Sequence, residues 1–512
     1  MAERAIFKFI TSAGELDAAS TGSIDDLKER LKSPGTKVLL YLHGGLVSQK
    51  AGMAIADKLS AKAGTSLALD DDWIQIYIIW RTGVLEELKE NWIELAENDK
   101  LYQSLVRKLI VFLAQRLHIP LKEGRAIADV VPIDEQDILD RVRGESGDPK
   151  RPFKELEALL PDPLDETARA TLEPEKSEEQ LRNEFEDYLS EDPLFLSATD
   201  DLDAALALDE GARGGALTGS EAEGAQILSR LDKDASLELI APAAAAKAQG
   251  LGRGAFSITA TLVTKAGAVA LHCIKRFRNH RDHGLHATIV EEVCRTFYAD
   301  KIGAAVWGWM GEDAARHFTG KGFGLELVSA FSANPPSKLV IIGHSAGSIW
   351  ASKMLASIVK SASPINLDLC LLAPAARSDL FAKTIAAAGG HIRHCSMFTM
   401  DDGLERADAV LGHDKGFIYP SSLLYLVSGL FERDKSEAYV DAPILGMQRF
   451  AEGDWLTEEE ADNAKAIADF FKKSGHRICY SKESGLTDAD THGGFDDNAL
   501  TLKSVHEQFF KP

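Results

Sequence analysis

The apolar positions of this chain change period along its length. "TKVLLYLHGG" (36–45) is a continuous apolar run ending in glycines, the pattern of a strand buried on both faces of a parallel sheet. "SQKAGMAIADKLSAKAG" (48–64) spaces its apolar residues at helical intervals, with Gly64 as the expected C-cap. "DDWIQIYIIW" (71–80) is a second strand, rich in Ile, Tyr and Trp. From about Leu85 to Pro193 the period becomes that of amphipathic helices broken by prolines, with no convincing strand. Residues 194–253 are the loosest stretch by composition, Gly- and Ala-rich, and read as a flexible connection or lid margin. Helices then dominate to about Phe331. After that strand and helix alternate again: "KLVIIG" (338–343), "INLDLCLLAPA" (365–375), "HCSMFTM" (394–400) and "RICYSK" (477–482) are strands, and a last helix runs to Phe510.

Repeated strand–helix units predict an α/β fold, a mostly parallel sheet with helices on both faces. The sheet is split in sequence. Residues 1–95 supply its first part and residues 335–512 its second. Residues 96–334 form a large, mainly helical insertion or cap, whose last helices are able to join the core. At 512 residues the chain exceeds the size at which one core stops growing, so more than one lobe is expected.

Composition narrows the partners. A formal charge of −22 disfavours nucleic acid and anionic membrane, which an acidic surface repels. Much of the excess lies in "EPEKSEEQLRNEFEDYLSEDP" (173–193), a solvated helical face. Cys273, Cys294, Cys370, Cys395 and Cys479 are odd in number, widely spaced and lack a C-x-x-C pair, which suits buried thiols in a reducing compartment. "GAFSITATLVTKAGAVALHC" (254–273) is the most apolar stretch, but Lys265 interrupts it and a buried helix is expected rather than a membrane span. With no secretory pattern at the N-terminus, the expectation is a cytoplasmic protein without stable membrane insertion.

The chemistry centres on "LVIIGHSAGSIW" (339–350). A Gly-x-Ser-x-Gly pentad stands between a buried strand and a helix, the setting of a nucleophile elbow. Gly343 and Gly347 suit a turn that brings backbone too close for side chains, and it lifts Ser345 to the strand's carboxyl end. A serine needs a base. His492, in the Gly-containing loop "DADTHGGFDDN" after the last strand, is the best placed of the 14 histidines; His344, adjacent to Ser345, points elsewhere. A carboxylate should hold the imidazole in one tautomer. Asp401 and Asp402 follow the strand at 394–400, with Asp402 slightly preferred and Asp379 as a fallback. Oxyanion donors are expected from the amide of Ala346 and from the turn "YLHGGLVS" (41–48), with Gly45 or Leu46 as donor, Gly44 beside them and His43 bracing the turn through its ring.

The set "HGGL", "GHSAG", "MDD" and "THGGF", in that order at strand ends, resembles the α/β-hydrolase superfamily on its esterase/lipase side. The resemblance covers roughly residues 36–95 and 335–510. It implies the triad roles, a mechanism with no cofactor and an acyl-enzyme intermediate on a small-molecule acyl ester. The same machinery serves an amidase or peptidase, and a hydrolase scaffold used as an interaction protein is the reading from another class. The distance from Asp402 to His492, including "YPSSLLYLVSGLFER" (419–433), is long for the superfamily, as is the insertion.

Other features read more plainly. "HRDHGLHATIVEEV" (280–293) holds His280, Asp282, His283, His286, Glu291 and Glu292, but lacks H-E-x-x-H, and Gly284 interrupts its helix. Polar packing, with no metal, is expected. The glycine-rich "GLGRGAF" (250–256) and "GKGFGLE" (320–326) follow no strand, so no dinucleotide site is expected. Trp80, Trp307, Trp309 and Trp350 are expected to pack in the core or cap.

Overall fold

The computed structural model describes residues 4–511 apart from 46, 63–65, 81–84, 118, 120–132, 161–175, 207–218, 240–257, 300–303, 413, 433–440 and 483. Eight strands form one sheet: β1 (Ile6–Ser12), β2 (Glu15–Leu16), β3 (Lys37–Leu42), β4 (Trp73–Trp80), β5 (Lys338–His344), β6 (Leu367–Leu372), β7 (Ile392–Thr399) and β8 (His476–Tyr480). Their order is β2-β1-β4-β3-β5-β6-β7-β8, and every pair except β1–β2 is parallel. The expectation of a mostly parallel sheet is met, and it is split in sequence: β3 pairs directly with β5, Leu39 opposite Val340 and Leu42 opposite Gly343.

β3 and β4 are central strands, and their residues are buried on both faces, which is why they read as unbroken apolar runs. Val38, Leu40 and Leu42 of β3 face one core, shared with the helices of the middle region. Leu39 and Tyr41 face a second core, roofed by the helices Gln49–Ser60 and Ala499–Phe509. Ser48 caps the first of these helices by accepting the amide of Ala51 at 3.2 Å. That helix ends at Ser60, and Gly64, its expected cap, lies outside the described residues.

Between the sheet's halves the described chain is helical, including Lys100–Arg116, Glu178–Ser190, Ile258–Arg278 and Leu285–Phe297. Two corrections arise here. Part of 194–253 is ordered helix, Pro193–Leu206 packed against Ser220–Arg230, and Gly224 lies so close to Asp201 that a Cβ would fall 1.8 Å from its carbonyl oxygen. Small residues that suggest a loose linker serve there as the contact between two helices. The second correction is at the start: β1 and β2 were not expected, and they extend the sheet beyond β4. The helix Phe323–Ala333, at the end of the middle region, packs on the sheet, with Phe323 edge-on to Phe9 at 5.0 Å. Among the described residues no helix is long and apolar enough to cross a membrane.

Candidate active site

Parallel strands end on the same edge, so the loops after β3, β5, β7 and β8 gather at one rim. Ser345 follows β5 there with φ of +51°, a left-handed conformation that costs a non-glycine residue energy and is held by its surroundings. Its amide donates to the Leu372 carbonyl at 2.9 Å, and its carbonyl accepts from the Ala375 amide at 3.1 Å and the Ser348 hydroxyl at 2.6 Å. The flanking glycines are required by crowding. A Cβ on Gly347 would lie 2.4 Å from the Leu42 carbonyl oxygen, and one on Gly343 would lie 3.0 Å from the Gly347 carbonyl oxygen. The helix Gly347–Lys360 starts under this turn, with Ala346 at its N-cap. The first amides of a helix have no acceptor within it and carry its positive end.

The structure brings His492 to Ser345. The imidazole Nε2 lies 2.9 Å from the Ser345 hydroxyl oxygen, and both side chains are buried. Burial, and then the charge of His344, lower the His492 pKa to about 3, against a smaller opposing effect of Asp496. The ring is therefore neutral at pH 7 and Nε2 is free to accept a proton.

The turn after β3 closes the other side. A Cβ on Gly44 would lie 3.1 Å from that of Ser345, and one on Gly45 would lie 3.1 Å from that of Ala346 and 3.0 Å from Met310 Cε. Gly44 and Gly45 thus lay bare backbone against the hydroxyl and the helix start; Leu46 lies outside the described residues. The His43 ring braces the turn, its Nδ1 donating to the Gly44 carbonyl at 2.7 Å, and the Trp80 indole donates to the His43 carbonyl at 3.2 Å. Burial lowers the His43 pKa to about 4, so this brace is neutral. A cavity of about 360 Å³ opens above Ser345, lined by Gly44, Gly45, Val47, Ala409, Val410, Leu423 and Thr491 among others.

The expected acids do not reach His492. Asp401 is spent as the N-cap of a short helix, Asp402–Ala407, accepting the Leu404 amide at 2.7 Å. Asp402 is buried behind it, accepting from the Tyr425 hydroxyl and pairing with Arg406 at 3.2 Å. Asp379 pairs with Arg377 and Lys383. The carboxylate that touches His492 is Asp408, one helix further on. It accepts the His492 amide at 2.8 Å and the Ala409 amide at 2.7 Å, and it lines the same cavity. The His492 Nδ1 has no hydrogen-bond partner among the described residues. A signal for Asp408 existed in "MDDGLERAD": an acid at each end of a short helix, of which only the far one returns to the rim.

The second cluster is solid rather than hollow. His283 donates to Glu291 at 2.8 Å, Tyr419 donates to the same carboxylate, and Arg276 pairs with Glu291 at 2.6 Å and Glu292 at 3.0 Å. Arg281 pairs with Asp441 at 2.6 Å and Glu460 at 2.9 Å. His286 packs edge-on against Phe153 at 4.9 Å, and neither of its ring nitrogens has a hydrogen-bond partner among the described residues. These groups join the middle region to the 402–460 segment. The tryptophans pack as core: Trp350 against His317 and Phe318, and Trp307 against Phe431, while Trp309 is partly exposed. Of the glycine-rich stretches, 250–256 lies outside the described residues, and 320–326 turns into the helix Phe323–Ala333. A further cavity of about 430 Å³ lies between Ser66–Ala68 and the C-terminal helix, lined by Lys503 and His506.

No known protein family, curated protein or solved structure matches this chain.

Proposed function

We propose that this chain is a serine hydrolase of the α/β-hydrolase type, cleaving carboxylic esters through an acyl-enzyme. The observation that carries the reading is the 2.9 Å contact between His492 Nε2 and the hydroxyl of a positive-φ serine, beneath a cavity at the carboxyl edge of a parallel sheet. His492 takes the proton of Ser345 as the hydroxyl oxygen bonds to the ester carbonyl carbon. The carbonyl oxygen becomes an oxyanion and is met by the amides of Ala346 and the Gly44–Gly45 turn. Collapse breaks the ester C–O bond, and the imidazolium returns its proton to the departing alcohol. Water then repeats the sequence on the acyl-serine, with His492 again as base.

Asp408 replaces Asp401 and Asp402 as the acid in this reading. It holds the backbone of His492 and lines the same cavity. Val47, Ala409, Val410 and Leu423 supply apolar lining, and this favours uncharged acyl groups. Five unpaired, buried thiols support a reducing compartment such as the cytoplasm.

The test is a fluorophosphonate probe together with p-nitrophenyl esters of increasing acyl length. Labelling and turnover are expected in the wild type, and Ser345→Ala should lose all labelling and at least about 10³-fold of turnover with its melting temperature kept. A folded wild type that neither labels nor turns over any ester would overturn the reading. Anilides hydrolysed as fast as matched esters would shift it to an amidase.

A further inference from the structure

His344 precedes the nucleophile in "GHSAG", and its ring does not enter the cavity chemistry just described. It is buried behind His492, the two rings stacked at 5.7 Å with an interplanar angle of 27°. Its two nitrogens face two oxygens. Nδ1 lies 3.3 Å from a carboxylate oxygen of Asp496, and Nε2 lies 3.1 Å from the backbone carbonyl of His492 itself. A backbone carbonyl only accepts, and so does an ionised carboxylate. A neutral imidazole has one N–H, so one of these contacts would set lone pair against lone pair. Both are satisfied together only when both nitrogens carry protons.

The surroundings complete the ion pair. The Tyr41 hydroxyl of β3 donates to the same Asp496 oxygen at 2.8 Å, and Lys58 of the helix Gln49–Ser60 donates to the Asp496 carbonyl at 3.3 Å. Burial opposes charge on both His344 and Asp496, but their mutual attraction and hydrogen bonds outweigh it, raising the pKa of the histidine and lowering that of the aspartate. The groups around His492 are then His344 and Asp496 behind it, Ser345 at Nε2, and Asp408 on its amide; His43 stands beyond His344, on the β3 turn.

We propose that His344 is a positioning residue held as a buried imidazolium, which ties down the His492 loop through the His492 carbonyl and keeps the His492 ring in its neutral, proton-accepting form. The charge acts where an acid–base pair alone would fail. A base in contact with a carboxylate gains a proton as the medium is acidified, and a fixed cation stacked on its far face resists that gain. The proposal rests on the hydrolase reading for its effect on turnover, but the charge state of His344 stands apart from it.

Two measurements test it. In the wild type and in Ser345→Ala, ¹⁵N spectra of labelled histidine, assigned by the signal missing from His344→Gln, should show both His344 nitrogens protonated at pH 7. A single neutral tautomer at pH 7 overturns the proposal whatever the activity. In pH profiles of kcat/KM on an ester, His344→Gln should move the acidic limb to higher pH by at least one unit, so that turnover at a pH below the limb, taken relative to pH 8, drops about tenfold. Asp496→Asn should move it the same way by less, because its own charge favours the His492 imidazolium. Profiles that only scale down, with the limb unmoved, reduce His344 to a packing residue and overturn the proposal. Wild type lacking both fluorophosphonate labelling and turnover defeats the hydrolase reading instead, and the spectra still decide the charge.

Discussion

The rim around Ser345 and the ionic layer around Arg281 both bury titratable side chains, yet they differ in kind. At the rim, a strained serine and a neutral histidine meet under open space of about 360 Å³. In the layer, Arg276, Arg281, His283, Glu291 and Asp441 are locked onto one another. Clustering of charge alone does not make a site. What separates the two is a serine hydroxyl in contact with a neutral base, and room for something to approach it. In the layer the charges are paired with each other, and the pairs join the middle region to the 402–460 segment.

Substitutions can break this contrast. The largest expected effect is on stability, in the layer. Arg281→Leu leaves Asp441 buried without its partner, and loss of one member of such a pair costs about 3–5 kcal/mol. Urea unfolding should show that loss, while ester turnover per folded molecule is unchanged; a stable variant with crippled turnover would mean that the layer belongs to the chemistry. Next comes the choice of acid. Asp408→Asn should lower kcat by about 10²-fold, equivalent to roughly 2.7 kcal/mol, whereas Asp402→Asn should disturb the Tyr425 and Arg406 contacts and spare kcat. The reverse result would return the role to the residue favoured by sequence.

The smallest effect is at His286, and it depends on pH. Burial lowers its pKa from 6.5 to about 3. Between those values the unfolded chain binds the proton and the folded chain does not. The histidine's contribution is therefore whole above pH 6.5 and is lost as pH falls toward 3, by at most about 1.4 kcal/mol per unit. His286→Leu abandons no hydrogen bond from the ring. Its stability relative to wild type should be near zero at pH 7 and should rise as pH drops to 5. A difference that stays flat from pH 7 to 5 would show that the ring is not held neutral.

Much of the sheet was legible because central parallel strands read as apolar runs, as β3, β4 and β5 do. β1 was not, because its burial alternates: Lys8 and Ser12 are half-exposed among Phe7, Phe9 and Ile10. The pairing of Ser345 with His492 followed from strand ends sharing one rim. The identity of the acid did not, since three aspartates lie within eight residues and only the path of a six-residue helix decides which one returns. In sequence, His344 is only the neighbour of the nucleophile, pointing elsewhere. That direction is what takes its ring beneath the His492 loop, and a carbonyl acceptor carries no mark in sequence.

The seam between β3 and β5 has a consequence for synthesis. β3 is complete at residue 42, but the strand that covers its flank begins at residue 338. At ordinary translation speeds roughly 15–60 s separate the two on the ribosome. Through that interval the apolar "KVLLYL" offers an open edge, the kind that recruits a wrong neighbour. Nascent chains of this protein should therefore lean on chaperones until the second half of the sheet arrives.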